Sequence, residues 1–80
     1  MHLEILTPEK KVFEGEVTIA TFPGADGSFQ IMDDHAPLIS LLKEGLVEYK
    51  SKETSQNVSI TGGVVEVLNN KIILLADGVK

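Results

Sequence analysis

Cysteine and tryptophan are both absent from this 80-residue chain, and basic residues are few. Without cysteine, neither a disulfide nor a cysteine-based zinc site can stabilise the fold. Seven Lys plus Arg against twelve Asp plus Glu give a formal net charge of −5. This balance argues against nucleic acid and anionic lipid as main partners, because both are bound by clusters of basic side chains.

Long apolar segments are missing as well, and the longest unbroken one is Ile72 to Ala76. A membrane-spanning helix needs about 20 apolar residues, so we expect no direct membrane insertion. The first residues, Met1 to Glu4, lack the basic start and the apolar core of a signal peptide. The length predicts a single domain, residues 1–80, with a thin core.

Alternating apolar and polar residues dominate the chain, and a period of two is typical of half-buried β-strands. The alternation predicts a core of Val17, Ile19, Val65, Val67 and one face of the Ile72 to Ala76 segment. Short strands separated by turn signals every 8–12 residues or so predict an all-β sandwich or barrel.

Turn-forming residues separate the predicted strands. They lie at Thr7 to Glu9, Glu14-Gly15, Pro23 to Gly27, Glu44-Gly45, Thr61 to Gly63 and Asn69-Asn70. Gly, Pro, Asn and Asp favour these positions, and Asn tolerates the positive φ of a tight hairpin. The polar segment Lys50 to Asn57 is predicted as a hairpin loop. Asp34 to Lys43 is the one place where the pattern allows a helical turn.

Two segments break the alternation, because Leu38 to Leu42 and Ile72 to Ala76 are apolar on both faces of a strand. In an isolated antiparallel sandwich, one face of each strand meets water. Either local cover within the chain protects the second faces, or another chain or a further segment covers them. The sequence leaves both alternatives open.

Few residues suit catalysis or ligand binding. His35 follows Asp33-Asp34, an arrangement that can orient a general base, but no nucleophile accompanies it. The Gly24 to Ser28 segment lacks the spacing and the lysine of a phosphate-binding loop. Asp26, Asp33 and Asp34 lack the spacing of a calcium loop. We therefore expect no catalytic residue, metal or cofactor.

A carrier domain is the alternative function. Lipoyl and biotinyl carrier domains are similarly short, acidic and all-β, and they present a lysine at a hairpin tip. Lys71 follows the predicted Asn69-Asn70 turn, but it lacks the flanking Asp or Met of those domains. Its simpler interpretation is a solvated lysine beside a turn.

Several motifs closely resemble, in order and spacing, the N-terminal domain of the epsilon subunit of F-type ATP synthases, called delta in mitochondria. They cover Leu3 to Glu9, Val12 to Val17, Phe22 to Ile31, His35 to Leu38, Gly62 to Val67 and Leu74 to Asp77. The resemblance implies a flattened sandwich of two antiparallel sheets with about ten short strands. It also implies a non-catalytic rotor subunit of the central stalk. That subunit binds gamma and the c ring, couples proton translocation to ATP synthesis, and is a monomer within the complex.

The resemblance also carries expectations for individual residues. It places Thr7, His35, Leu38 and Ser40 toward gamma, and the segment Ala25, Asp26, Gly27, Ser28, Phe29, Gln30 and Ile31 toward the c ring. The family often has an acidic residue at Ser28, and it has Pro-Gly at Asp33-Asp34, so charge pairing and turn shape can differ there. The implied location is peripheral, on the cytoplasmic face of the bacterial inner membrane.

Many members continue from the Leu74 to Asp77 motif into a C-terminal helical hairpin that can inhibit ATP hydrolysis. In this sequence only Gly78, Val79 and Lys80 follow the motif. At ~1.5 Å rise per residue, three residues cannot form such an arm. We therefore expect that these 80 residues couple without inhibiting through an arm and without binding nucleotide.

Overall fold

The computed structural model describes all residues from Met1 to Lys80, and its only regular elements are β-strands. The strands are β1 (His2–Leu6), β2 (Lys11–Glu16), β3 (Ile19–Gly24), β4 (Gly27–Met32), β5 (Leu38–Leu42), β6 (Gly45–Lys50), β7 (Ser55–Ile60), β8 (Gly63–Leu68) and β9 (Lys71–Ala76). The all-β prediction is confirmed, with nine strands in place of about ten. The chain contains no helix long and apolar enough to cross a membrane.

The nine strands belong to one continuous sheet that curls around a single core. Its first half contains β2, β1, β9, β8 and β5, and its second half contains β4, β3, β6 and β7. The halves join where Gly24 of β3 pairs with Leu42 of β5. The two sheets expected from the sequence are therefore two halves of one sheet, which we call the first and second half-sheets.

Strands β1 and β9 pair in parallel, whereas the other neighbours pair antiparallel. The expectation of a purely antiparallel arrangement is wrong at this one pair. No short hairpin connects β1 and β9, since they lie near opposite ends of the sequence, so turn geometry does not impose an antiparallel direction.

Sixteen buried residues form the core. Val17, Val65 and Val67 are among them, as are Ile72, Leu74 and Ala76 from one face of β9, which confirms those predictions. Ile19 is only half-buried, so its assignment to the core is wrong. Strand β3 instead turns Ala20 and Phe22 inward, because its alternation is shifted by one residue from the expected phase.

Local predictions were less accurate than the fold class. Asn69 and Asn70 form the predicted tight turn, with φ angles of 53° and 63°. Glu14-Gly15 lies inside β2 and is not a turn. The connection after β6 is only Ser51 to Thr54, because the polar residues that follow it pair as the exposed edge strand β7. No helical turn forms in Asp34 to Lys43, where β5 lies instead.

The last residues of the chain lie along the start of the connection that follows β7. Thr61 donates its backbone N–H to the carbonyl of Gly78 over 3.0 Å, and Val79 forms a bridge with Ile60. Lys80 donates its backbone N–H to the carbonyl of Ser59, and its ammonium contacts Glu44. This pairing covers part of the outer edge of the second half-sheet.

Candidate partner-binding surfaces

An apolar row crosses the outer face of the first half-sheet. In neighbouring strands Leu41 pairs with Val64, Val64 with Leu75, and Leu75 with Leu6. Residues in register share a face, and the exposed fractions of Leu41 and Leu75 are 66% and 53%. We call these residues, Leu6, Leu41, Val64 and Leu75, the outer apolar row. Nothing in the chain covers it, so the alternative of local cover is wrong for β5 and β9.

The outer face becomes polar with distance from this row. The adjacent row consists of Ile39, Glu66, Ile73 and Glu4. The row beyond it pairs Leu68 with Lys71 and Lys71 with His2. The first half-sheet therefore presents an apolar end and a charged end on one face, which suits a protein partner with a similar division.

Alternating charges connect β1 and β2 at the charged side. Glu4 and Glu14 lie directly opposite each other, and the Lys11 ammonium contacts both carboxylates. The hydrogen bond to Glu14, followed by that to Glu4, raises the pKa of Lys11. Lys11 and then His2 lower the pKa of Glu14. The two imidazole nitrogens of His2 lie 2.9 Å from Glu14 Oε2 and 3.2 Å from Glu16 Oε2.

The amino group of Met1 also lies among acidic side chains. It donates to the Asp33 carboxylate over 2.9 Å and to the carbonyl of Val17 over 3.1 Å, and it lies 3.5 Å from Glu16. The hydrogen bond to Asp33 raises the pKa of this amine, against the effect of burial. Asp33 therefore pairs with the amine, whereas His35 Nδ1 lies 2.7 Å from the carbonyl of Ala36.

The residues expected to face gamma surround the first half-sheet. Thr7 follows β1 at the end where the outer apolar row lies, and its hydroxyl bonds the backbone of Lys10. His35 is exposed before β5, at the opposite end. Leu38 packs against the core and Ser40 is half-buried on the same side of β5. A partner that reaches both Thr7 and His35 must therefore extend along the strands.

The segment expected to face the c ring is a hairpin. Ala25 and Asp26 form its exposed turn between β3 and β4, and Gly27 has a φ of 133°. Beyond the turn, Ser28 and Gln30 are exposed.

The inward residues of β4 belong to the core region. Phe29 is half-buried with its ring centroid 5.7 Å from that of Phe22. Ile31 is fully buried. Its side chain stabilises the domain and is not available to a partner, so Ile31 leaves the expected ring-facing set.

Sequence reasoning missed half of the outer apolar row. Leu41 and Leu75 lie in the two segments singled out as apolar on both faces, but Leu6 and Val64 carried no such signal. Their membership depends on the pairing of β1 with β9 and of β9 with β8. That pairing joins residues far apart in sequence, and no local pattern reveals it.

No group of His, Asp and Glu in the structure has a geometry that suits a metal ion. His35 does not contact Asp33 or Asp34 through its ring, and Asp34 has a φ of 64° and donates its backbone N–H to Asn70 Oδ1. The Asp33-Asp34 segment therefore shapes the connection between β4 and β5.

The whole chain, residues 1–80, matches the family described as ATP synthase, Delta/Epsilon chain, beta-sandwich domain. An ATP synthase epsilon chain of Chlorobium limicola is 49% identical over 78 residues, which cover 96% of this chain and 89% of that protein. An ATP synthase epsilon chain of Campylobacter curvus (strain 525.92) is 39% identical over 79 residues, covering 98% of this chain. The chain spans 61% of that second relative's length.

Solved structures show the same fold. A chain in the cryo-EM structure of the Tetrahymena thermophila mitochondrial ATP synthase, central stalk and c ring, superposes with a TM-score of 0.83 at 21% identity, covering 99% of this chain and 64% of that one. A chain of the Euglena gracilis mitochondrial ATP synthase gives 0.90 at 16% identity, covering 98% and 51%. At these identities the likeness is one of fold.

These relatives are all of ATP synthase type, and none of them supports the carrier alternative, in which Lys71 would be modified. Lys71 is an exposed residue at the start of β9. Because the family match covers every residue, the resemblance seen in the sequence is confirmed: the chain belongs to the beta-sandwich domain family of ATP synthase delta and epsilon chains.

Proposed function

We propose that this chain is a non-catalytic rotor subunit in the central stalk of an F-type ATP synthase. In this role it binds the gamma subunit and the c ring together and couples proton translocation to ATP synthesis. The observation that carries the proposal is the outer apolar row, with Leu41 and Leu75 more than half exposed. Contiguous exposed apolar surface of this kind marks a protein-protein contact.

Gamma is the partner proposed for the outer face of the first half-sheet. The expected residues Thr7, Leu38, Ser40 and His35 lie in β5 or beside the ends of the first half-sheet's strands. Ser40 lies between two exposed apolar residues of β5, so a partner on this strand passes close to it. Burial of the apolar row supplies the main favourable term, at about 25 cal/mol per Å² of apolar surface.

The c ring is the partner proposed for the exposed part of the β3–β4 hairpin, from Ala25 to Gln30. The hairpin carries the exposed carboxylate of Asp26, followed by the polar Ser28 and Gln30. A polar, acidic tip suits contact with the polar loops of a ring better than burial in an apolar interface. The chain would then be a peripheral component of a membrane complex, on the cytoplasmic face of the bacterial inner membrane.

Reconstitution tests the coupling role. An F-type ATP synthase depleted of its own epsilon subunit is supplied with this chain, and ATP-driven proton pumping is measured in vesicles. We expect the chain to restore pumping relative to ATP hydrolysis. The Asp26→Lys variant should retain gamma binding and restore less pumping. Glu53→Lys, an equal charge change in the exposed connection between β6 and β7, should behave like the unmodified chain. Hydrolysis without any gain in pumping would contradict the proposal.

A further inference from the structure

Strand β5 is an edge strand along most of its length. On one side it pairs with β8 from Leu38 to Leu42, and on the other side it meets β3 only through the Gly24–Leu42 pair. It contains no charged residue and no proline. Natural proteins usually protect such edges, because a row of unpaired backbone groups is a template for pairing with another strand.

The hydrogen bonds at the Gly24–Leu42 pair, where β5 meets β3, show which backbone groups of β5 face away from β8, toward its open side. Ala25 donates its N–H to the carbonyl of Leu41, and Lys43 donates its N–H to the carbonyl of Pro23, each over 2.9 Å. Leu41 and Lys43 therefore face away from β8. Because N–H and C=O groups alternate sides along an antiparallel strand, Ile39 faces the open side too, so its N–H and C=O have no partner strand in the chain.

The open side of β5 borders a groove of about 490 Å³. Ile39, Ser40 and Leu41 line one wall, and the β3–β4 hairpin from Gly24 to Phe29 lines the other. Ile39 is the most exposed large apolar residue of the chain, at 70%. The groove thus combines unpaired backbone groups, an exposed apolar side chain and, on its far wall, the carboxylate of Asp26.

The other edges differ from this one. Strand β2 carries Lys11, Glu14 and Glu16, and its pairing with β1 is irregular near Leu6. The end of β7 is covered by the bridge between Ile60 and Val79. Strand β4 turns polar side chains outward, apart from Met32. Charges, irregular pairing and cover protect an edge. Strand β4 and most of β7 lack these protections but expose mainly polar side chains, whereas β5 exposes Ile39 and Leu41.

We propose that the open edge of β5 accepts an extended strand of gamma, which continues the first half-sheet by strand addition. This inference rests on the proposed function and specifies how gamma binds. The added strand would hydrogen-bond the N–H and C=O of Ile39, and its outward side chains would lengthen the apolar surface of the outer face. The open edge adjoins the outer face proposed for gamma, because Ile39 lies in the row next to the outer apolar row, so one partner can occupy both.

A proline substitution separates backbone pairing from side-chain contact. Ile39→Pro removes the N–H that faces the groove, whereas the hydrogen bonds to β8 come from its neighbours. Ile39→Ala is the matched control, since it loses the same apolar side chain and keeps the N–H. We expect Ile39→Pro to bind gamma at least about tenfold more weakly than Ile39→Ala. Equal affinities would overturn the proposal.

Amide hydrogen exchange gives a second test in the unmodified chain, independent of how well the proline variant folds. The amide of Ile39 should exchange quickly in the free chain and slowly in the gamma complex, while that of Ser40 should be slow in both. Fast exchange at Ile39 in a stable complex would overturn strand addition and leave the proposed function intact. Absence of any gamma complex would overturn both. A dimer of the free chain that Ile39→Pro abolishes would make a second copy the occupant and exclude gamma.

Discussion

Ala25 donates its backbone N–H to the carbonyl oxygen of Leu41 over 2.9 Å. This bond fixes the tip of the β3–β4 hairpin against the strand that begins the outer apolar row. The surface proposed for the c ring and the surface proposed for gamma therefore meet at one end of the domain. A load applied to the hairpin tip would reach β5 directly through this backbone hydrogen bond.

Charge introduced into the outer apolar row should weaken gamma binding. We expect Leu41→Asp combined with Leu75→Asp to reduce the affinity for gamma at least tenfold, since a desolvated contact would gain unpaired carboxylates. Met32→Asp is the control, because Met32 is similarly exposed, at 57%, but lies on the second half-sheet. Titration calorimetry with purified gamma measures both. An equal loss in the control would mean that gamma does not select this face.

Strand β3 illustrates how far the sequence determines the fold. The period of two correctly predicts that the chain forms strands, but it does not decide which phase faces inward, and it selects Ile19 where the structure buries Ala20. That choice is set by pairing with β4 and β6, through Ile31 and Tyr49 opposite Ala20. Strand phase is a property of the assembled sheet, because a shift of one residue exchanges the two faces.

The candidate surfaces, like the fold, could be predicted from the sequence only in part. The apolar excess in β5 and β9 was visible in the sequence, and the family resemblance supplied the residues near β5. The inclusion of Leu6 and Val64 was not predictable, because it follows from long-range pairs between β1, β9 and β8. The burial of Ile31 was also missed, since the family pattern treats the hairpin as one segment and does not separate its inward residues.

Shortening a buried side chain in β8 should destabilise the fold. Val67 is 2% exposed and belongs to the core. We expect Val67→Ala to lower the free energy of unfolding by about 1–3 kcal/mol, through lost apolar contacts and a residual cavity. Glu66→Gln, its neighbour on the outer face, should change it by less than about 0.5 kcal/mol. Urea unfolding followed by circular dichroism provides the comparison, and no effect at Val67 would place it outside the core.

A methyl group at Gly63 should be poorly tolerated. Gly63 has a φ of 156°, and an added Cβ would lie 2.4 Å from the carbonyl oxygen of Leu75. We expect Gly63→Ala to cost about 1–3 kcal/mol or more of unfolding free energy, from backbone strain and displacement of β9. For comparison, an added Cβ at Gly27 has no heavy atom within 4 Å. Gly27→Ala should therefore lower the unfolding free energy through backbone strain alone, without a steric clash. Equal unfolding midpoints for the two variants would contradict the steric argument.

The pairing of the Met1 amine with Asp33 should make stability depend on pH above neutrality. The pKa of the amine is raised above its ordinary value of 8.0 in the folded chain, mainly by Asp33. Its contribution is therefore fully present below about pH 8 and is lost as the pH rises through the higher folded value. We expect Asp33→Asn to remove part of this pH dependence and Asp34→Asn to retain it, in thermal unfolding between pH 7 and 10 or so. The same dependence of thermal stability on pH in both variants would contradict the pairing of the Met1 amine with Asp33.

Simultaneous binding of gamma and a c ring is the central claim, and a size-exclusion experiment with purified components tests it most directly. We expect this chain, gamma and the c ring to elute as one complex. Leu41→Asp combined with Leu75→Asp should weaken the contact with gamma alone, and Asp26→Lys should weaken the contact with the ring alone. Elution of the unmodified chain by itself, apart from both partners, would contradict the account.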